Sequence, residues 1–225
     1  MKATIYKEKP STFFIRQSVM DGWKIKVLPA EEWQKFSDPE IKCLMHETAT
    51  YVLPTQELLD FLDAERSGMK TIEVAAGNGF IGRNLGIPVT DSCVQRDNNW
   101  IVAAYKMFGQ PTIKYPKDII KLEANAAVTR FRPECVIVCY GTHLDKPGRP
   151  QTGFAYGIDY ERLLPRVKKL ILVGNKETHG TNPIMDLPHR EVKLDGLITR
   201  SSDPETNMIF IWENETIMEL CIKAR

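Results

Sequence analysis

The sequence predicts an α/β fold, a three-layer sandwich whose mostly parallel sheet ends in an antiparallel hairpin, with an N-terminal extension before it. Two observations predict this fold. From Lys70 onward, strand-like and helix-like segments alternate, which is typical of parallel strands joined by crossover helices. Near the end, β-rich runs at 208–212 and 217–222 are separated by a linker too short for a crossover helix, so they are expected to pair antiparallel.

The first 53 residues are predicted to form an extension or lid made of a hairpin and helices. Apolar and alternating runs at 12–16 and 23–28 flank Asp21-Gly22, which is a hairpin signal. Two helices are expected after them, at 29–36 and 38–50, with Asp38-Pro39 as the cap and first-turn residues of the second. This segment precedes the alternating region, so we expect it to cover the site and not to join the sheet.

Residues 54–225 are predicted to form the main domain. Thr55 is expected to cap a helix over 56–64, in which leucine and phenylalanine recur at helical spacing. Strands are expected over 70–75, 87–91, 117–123, 135–140 and 168–174.

The most informative motif is a glycine-rich turn between the first strand and a helix of the main domain. Gly77 and Gly79 lack a Cβ atom, so the backbone can adopt positive φ and approach a ligand closely. With Gly82 they spell G-x-G-x-x-G, which also suits an NAD-binding unit. Glu73 lies in the strand before the turn, and a buried carboxylate there needs a cationic or hydrogen-bonding partner.

A second acid follows at a matching distance. The run 86–91 reads as a short strand ending in Asp91, far enough from Glu73 for a turn, a short helix and a strand. The pattern E-x-x-x-G-x-G followed by this acid resembles motif I of class I S-adenosylmethionine-dependent methyltransferases, which have a Rossmann-like fold. The alternative for Asp91 is a strand-end acid that caps the next turn.

The resemblance implies S-adenosylmethionine as the cofactor, with the α-amino group near Glu73 and the ribose hydroxyls on Asp91. It also places Glu123 or Asn125, after the third strand, beside the adenine, although Asn125 could instead be a helix N-cap. The cofactor-binding residues that it implies are Glu73, Ala75, Gly77, Asn78, Gly79, Asp91, Ser92, Glu123, Ala124 and Tyr140.

Catalytic candidates follow the fourth strand, because ligands bind at the carboxyl ends of parallel strands. Tyr140 and His143 lie there, and His143 suits a general base if the acceptor must lose a proton. A surface-loop histidine is the alternative. His179, after the fifth strand, is a weaker candidate. The chain has Tyr140-Gly-Thr-His143 where amide-methylating enzymes carry N/D-P-P-Y/F, which disfavours methylation of exocyclic amines.

Composition indicates which classes of partner the chain is expected to bind. The hydrophobic share of 43%, the charged share of 26% and the net charge of +1 fit an ordinary globular chain without a nucleic-acid signature. The sequence shows no apolar run of membrane-spanning length and no signal peptide, so it predicts a cytoplasmic protein. Cys135 and Cys139 are too far apart for a C-x-x-C pair, so no metal site is expected. The acceptor and the oligomeric state are left open.

Three functional hypotheses therefore remain. The first is a methyltransferase that uses S-adenosylmethionine on an unidentified acceptor. The second is a methyltransferase-like binding or regulatory module without catalysis, and the third is an NAD-dependent oxidoreductase. Glu73 and the expected terminal hairpin count against the third, because dinucleotide sites carry a small apolar residue before the glycines and NAD-binding domains usually lack that ending.

Overall fold

The structure is a computed structural model that describes residues 11–148 and 150–214. Its helices are α1 (Phe13–Val19), α2 (Ala30–Trp33), α3 (Asp38–Glu47), α4 (Gln56–Glu65), α5 (Phe80–Asn84), α6 (Val94–Asp97), α7 (Asn99–Met107), α8 (Ala124–Phe131), α9 (Tyr160–Leu163) and α10 (Lys176–His179). Its strands are β1 (Met20–Asp21), β2 (Lys24–Ile25), β3 (Thr71–Val74), β4 (Thr90–Asp91), β5 (Ile120–Lys121), β6 (Cys135–Cys139), β7 (Lys169–Asn175), β8 (Arg190–Val192) and β9 (Asn207–Glu213). Short 3-10 turns follow α9 and α10 and precede β9.

The central sheet has five strands in the order β3-β6-β7-β9-β8. The first three are parallel, and β9 runs antiparallel to both of its neighbours. A parallel pair, β4 with β5, lies beside β3, to which it is joined by hydrogen bonds from Glu73 N to Pro88 O and from Ala76 N to Thr90 O, both 3.0 Å. Each of the five predicted strands of the main domain is therefore present.

The expectation of a mostly parallel sheet is wrong, because the central sheet is mixed. The chain reaches β8 at the sheet edge after β7 and then returns as β9 between them, through a connection without a crossover helix, so β9 must run antiparallel. The first run of the predicted terminal hairpin is β9. Its second run, 217–222, lies outside the described residues, and β8 was not predicted.

Helices cover both faces of the central sheet, which gives three layers. The middle strands β6 and β7 are apolar and buried almost throughout, as expected of strands covered on both sides. On one face, α8 and α9 pack on a core that includes Val74, Val138, Leu172 and Trp212. On the other face, α4 and α5 pack on Ile137, Ile171, Val173 and Ile209.

The N-terminal segment has its own apolar cluster, which Phe80 of α5 joins. The hairpin at Asp21-Gly22 is present as β1 and β2, but residues 13–19 form a helix where a strand was expected. Helix α3 begins after Ser37, whose capping box with Glu40 replaces the expected cap at Asp38. Thr55 caps α4 as predicted, accepting a hydrogen bond from the Leu58 amide. In the described residues, no helix is long and apolar enough to cross a membrane.

The contact between α5 and β3 depends on Gly82. A Cβ atom at Gly82 would lie 2.5 Å from Val89 Cγ1 and 2.6 Å from Glu73 Oε2. The absence of a side chain therefore lets the helix approach the first strand and the buried carboxyl of Glu73 directly.

Replacement of Gly82 by alanine is expected to lower the free energy of unfolding by about 3 kcal/mol, because the new methyl group overpacks a buried contact. Gly86→Ala is the comparison, since the new methyl group there meets open space. Its only cost is that of holding a non-glycine residue at positive φ, about 1 kcal/mol. Urea denaturation of both variants measures the difference, and equal losses would contradict the packing role of Gly82.

Candidate functional site at the glycine turn

The glycine turn joins β3 to α5 at the carboxyl edge of the sheet. Ala75, Gly77 and Gly79 all have positive φ, at 50°, 58° and 70°. Cys93, after β4, and Tyr140, after β6, also have positive φ. Sparsely populated backbone conformations at non-glycine residues occur often at functional sites, and here three of them follow neighbouring strands.

Asp91 lies directly beside this turn. Its Oδ2 accepts a hydrogen bond from the Gly77 amide at 2.9 Å, and its Oδ1 accepts one from the Cys93 amide at 2.7 Å. The side chain is buried, and desolvation raises the pKa of its carboxyl, although the two amides act in the opposite direction. Asp91 therefore caps the turn after β4 and also fixes the glycine turn. Ser92 follows it, half-buried.

Glu73 lies beneath α5 and not at the surface of the turn. Its side chain is 1% exposed, its Oε2 accepts a hydrogen bond from the Gly82 amide at 2.8 Å, and the Cys139 side chain lies close to it. Burial raises the pKa of the Glu73 carboxyl to about 8, so it is mainly protonated at neutral pH. The partner that this acid needed is thus present within the chain.

Asn78 connects the turn to the N-terminal segment. Its Nδ2 donates a hydrogen bond to Thr50 Oγ1 at 3.0 Å, and the next aromatic residue, Phe80, stacks on Trp23 with ring centroids 5.7 Å apart. The N-terminal segment therefore lies against the glycine turn.

Residues 110–119, which we term the covering segment, lie over the turn and over Asp91. A Cβ atom at Gly77 would be 3.2 Å from Ile113 Cδ1, and one at Gly79 would be 3.2 Å from Ile119 Cδ1. The Tyr115 side chain lies close to the Asp91 carboxyl and lowers its pKa. The surface on which a nucleotide-like ligand would lie is therefore in contact with protein in this conformation.

The helix after β5 is capped by Glu123 and not by Asn125. Glu123 is the N-cap of α8, where its carboxylate accepts hydrogen bonds from the amides of Asn125 at 3.0 Å and Ala126 at 2.6 Å. The expectation of an N-cap at Asn125 is therefore wrong, and its Nδ2 donates to Asp159 O at 3.2 Å. Ala124 is buried in the first turn of the helix.

Tyr140 follows β6 at the same edge. Its ring stacks on Tyr51 of the N-terminal segment at 5.6 Å and meets the edge of His179 at 5.0 Å. Burial raises the pKa of its hydroxyl, so this group is a hydrogen-bonding phenol and not a base near neutral pH. His179 is buried, and desolvation lowers its pKa to about 4, which keeps it neutral.

His143 lies three residues beyond Tyr140 and is 6% exposed, so it is not a surface-loop histidine. Its Nε2 lies 3.3 Å from Thr152 Oγ1, and Gly153 and Gly157 pack directly on it. It lines a cavity of about 430 Å³ together with Leu144, Asp145, Lys146, Pro150, Thr152, Glu161, Thr181, Pro183 and Asp186. The cavity does not include the glycine turn or Asp91.

No sequence pattern indicates the group around Tyr140. Tyr51 and Arg200 are distant in sequence and carry no motif, yet the Arg200 guanidinium lies 4.5 Å from the centre of the Tyr51 ring. Within the described ranges, no group of three or more His, Cys, Asp or Glu side chains is arranged to hold a metal ion.

Comparisons with known proteins do not identify a family. No protein-family model matches the chain, and no curated protein matches it. A crystal structure of Thermoplasma acidophilum 1320 is 14% identical, with 81% of this chain and 92% of that chain covered and a TM-score of 0.35. A mutant of MtNAS is 10% identical, with 82% and 68% of the chains covered and a TM-score of 0.35.

The buried carboxyl of Glu73 is expected to make stability depend on pH. Its pKa of about 8 in the folded chain exceeds the ordinary value of 4.5, so the folded state holds a proton that the unfolded state has lost between these values. Stability from this group is complete below pH 4.5 and falls toward pH 8, by about 1.4 kcal/mol per pH unit.

Glu73→Gln keeps a neutral side chain of similar shape and should flatten this slope. Denaturation at several pH values between 5 and 8 measures it, with the exposed Glu177→Gln as the control. An unchanged slope in Glu73→Gln would mean that Glu73 is ionised in the folded protein.

Proposed function

We propose that this chain is a methyltransferase that uses S-adenosylmethionine. One contact supports the proposal most directly, the hydrogen bond between the Gly77 amide and Asp91 Oδ2. It holds a glycine turn with positive φ next to a strand-end acid, the pair of features that the resemblance assigns to the adenosyl group.

The residues of the turn fit this cofactor. Gly77 and Gly79 present no Cβ, and each Asp91 oxygen that accepts one amide hydrogen has a further lone pair for a ribose hydroxyl. The same edge of the sheet also carries Asn78, Ser92 and Tyr140. Helix α8 begins there, with Glu123 as its N-cap and Ala124 as its first residue. Glu73 acts from beneath, because its bond to Gly82 fixes α5 against β3.

The cofactor supplies an electrophilic methyl group on a sulfonium. The chain therefore has to bind the cofactor and the acceptor, orient them toward each other and exclude water. Tyr140 is the proposed positioning group for the acceptor, through its hydroxyl and ring. His143 is the proposed base for an acceptor that must lose a proton, and the cavity that it lines is large enough for a small molecule.

A second function is favoured by the covering segment, which contacts both glycines and Asp91. A methyltransferase-like binding or regulatory module, in which cofactor binding changes the position of this segment without methyl transfer, would use the same contacts. Turnover of a bound acceptor distinguishes the two functions.

Calorimetric titration with S-adenosylmethionine, S-adenosylhomocysteine and NAD tests the cofactor. We expect the first two to bind, and Asp91→Asn and Gly77→Ala to weaken both at least about tenfold, since each removes about 1.4 kcal/mol or more of contact or backbone fit. Asp195→Asn, an exposed acid far along the chain, is the control. Binding of NAD alone, or equal affinities in all variants, would refute the assignment.

The covering segment gives a separate prediction. Tyr115→Phe removes the hydroxyl that lies beside Asp91, so the carboxylate becomes more accessible to a ribose and S-adenosylhomocysteine should bind more tightly than to the wild type. Lys114→Ala changes an exposed neighbour and should leave the affinity unchanged. Weaker binding by Tyr115→Phe would instead make Tyr115 part of the ligand site.

A further inference from the structure

Arg200 lies in an aromatic group at the carboxyl end of β6. Its guanidinium is over Tyr51, which stacks on Tyr140, and its backbone amide donates to Tyr51 O at 2.9 Å. Tyr105 of α7 lies close to Tyr51. Arg200 therefore contacts one tyrosine of a group of three that comes from separate parts of the chain.

The charge of Arg200 has no acidic partner in the described part of the chain. Its Nη2 donates to the neutral Gln110 Oε1 at 2.8 Å, while Nη1 is buried and has no hydrogen-bond partner. The residue as a whole is half-buried, and removing part of its charge from water without an ionic partner is costly, while the guanidinium fork is suited to two oxygens of a carboxylate or phosphate.

A second cation increases this positive charge. Lys42 donates hydrogen bonds to the carbonyl groups of Thr199 and Ser201, on either side of Arg200. Burial lowers the pKa of Lys42, and Arg200 lowers it further, whereas Asp38 acts in the opposite direction. An anion at Arg200 would reduce the repulsion between the two cations.

We propose that Arg200 binds an anionic group, a carboxylate or phosphate, of the methyl acceptor, and that this group displaces the side chain of Gln110. This inference rests on the proposed function and names its substrate class. Asp91 lies on β4, on one side of β3, whereas Tyr140 follows β6 on the other side. Arg200 is therefore next to the proposed positioning group, away from the ribose-binding acid.

Gln110 is the residue that has to move. It is the first residue of the covering segment and follows Gly109, which has positive φ, and residues 110–116 form no regular secondary structure. A carboxylate or phosphate can accept two parallel hydrogen bonds from the guanidinium and adds an ion-pair attraction, neither of which the single amide oxygen of Gln110 provides, so the exchange favours the anion.

The test uses benzoate and phenyl phosphate as probes, with benzyl alcohol as the uncharged analogue, in ligand-observed NMR titrations of the full chain. The wild type is expected to bind both anions more tightly than the alcohol. Arg200→Gln should weaken the anions about tenfold or more and leave the alcohol unchanged, a loss in the range of one charged hydrogen bond. Arg162→Gln, at an exposed arginine, is the matched control.

A second variant keeps the test valid if Arg200→Gln unfolds. Gln110→Ala retains the guanidinium and removes its neutral partner, so both anions should bind more tightly than to the wild type. No preference for the anions over the alcohol, or unchanged anion affinity in Gln110→Ala and in folded Arg200→Gln, would overturn the proposal.

A further titration tests whether Arg200 binds the carboxylate of the cofactor and not that of the acceptor. It compares S-adenosylhomocysteine with 5′-methylthioadenosine, which lacks the amino-acid group. If Arg200→Gln weakens only the former and leaves benzoate unchanged, Arg200 belongs to the cofactor site and the proposal fails. Arg200-dependent anion binding in a protein that binds neither nucleoside would support the anion site and refute the proposed function.

Discussion

The buried contact between Glu73 and Gly82 determines how the glycine turn is built. A carboxyl group in the interior is tolerated only if it is neutral or well hydrogen-bonded, and Glu73 is both, because burial raises its pKa and the Gly82 amide bonds to it. A side chain at residue 82 would occupy the same space. The acid and the glycine therefore require each other, and together they fix the direction in which α5 leaves the turn.

Asp91 extends this arrangement to the next strand. Its two oxygens hold the amides of Gly77 and Cys93, so β4, the glycine turn and the start of the following loop form one connected unit. The same carboxylate is proposed to accept hydrogen bonds from the ribose hydroxyls of the cofactor. Structural and ligand-binding roles are thus compatible only because a carboxylate has more acceptor sites than the two amides use.

The features that the sequence predicted are those that local patterns determine. The five strands of the main domain, the Thr55 cap and the glycine turn follow from apolar runs, capping residues and residues that permit positive φ. The apolar run at 12–16 predicts a strand but begins helix α1, because an apolar run this short suits a helix or a strand equally. Strand β8, mostly polar, has its place only through pairing with β9.

The candidate site shows the same division. Gly77 and Asp91 could be paired from spacing alone, but the covering segment could not, because the contacts of Ile113, Ile119 and Tyr115 depend on how a long connection folds back. Arg200 was missed for a related reason. Its environment is assembled from Tyr51, Tyr105 and Tyr140, and no sequence pattern links residues so far apart.

One segment touches both proposed ligand sites, since Tyr115 lies beside Asp91 and Gln110 accepts a hydrogen bond from Arg200. Residues 110–116 lack regular secondary structure, and Ile113, Tyr115 and Ile119 are only half-buried, so the segment can move at a lower cost than an element of the core. A ligand that moves the segment at one site removes part of the cost of binding at the other. By reciprocity, each ligand then raises the affinity of the chain for the other ligand by the same factor. The covering segment would therefore favour the state in which cofactor and anionic acceptor are bound together.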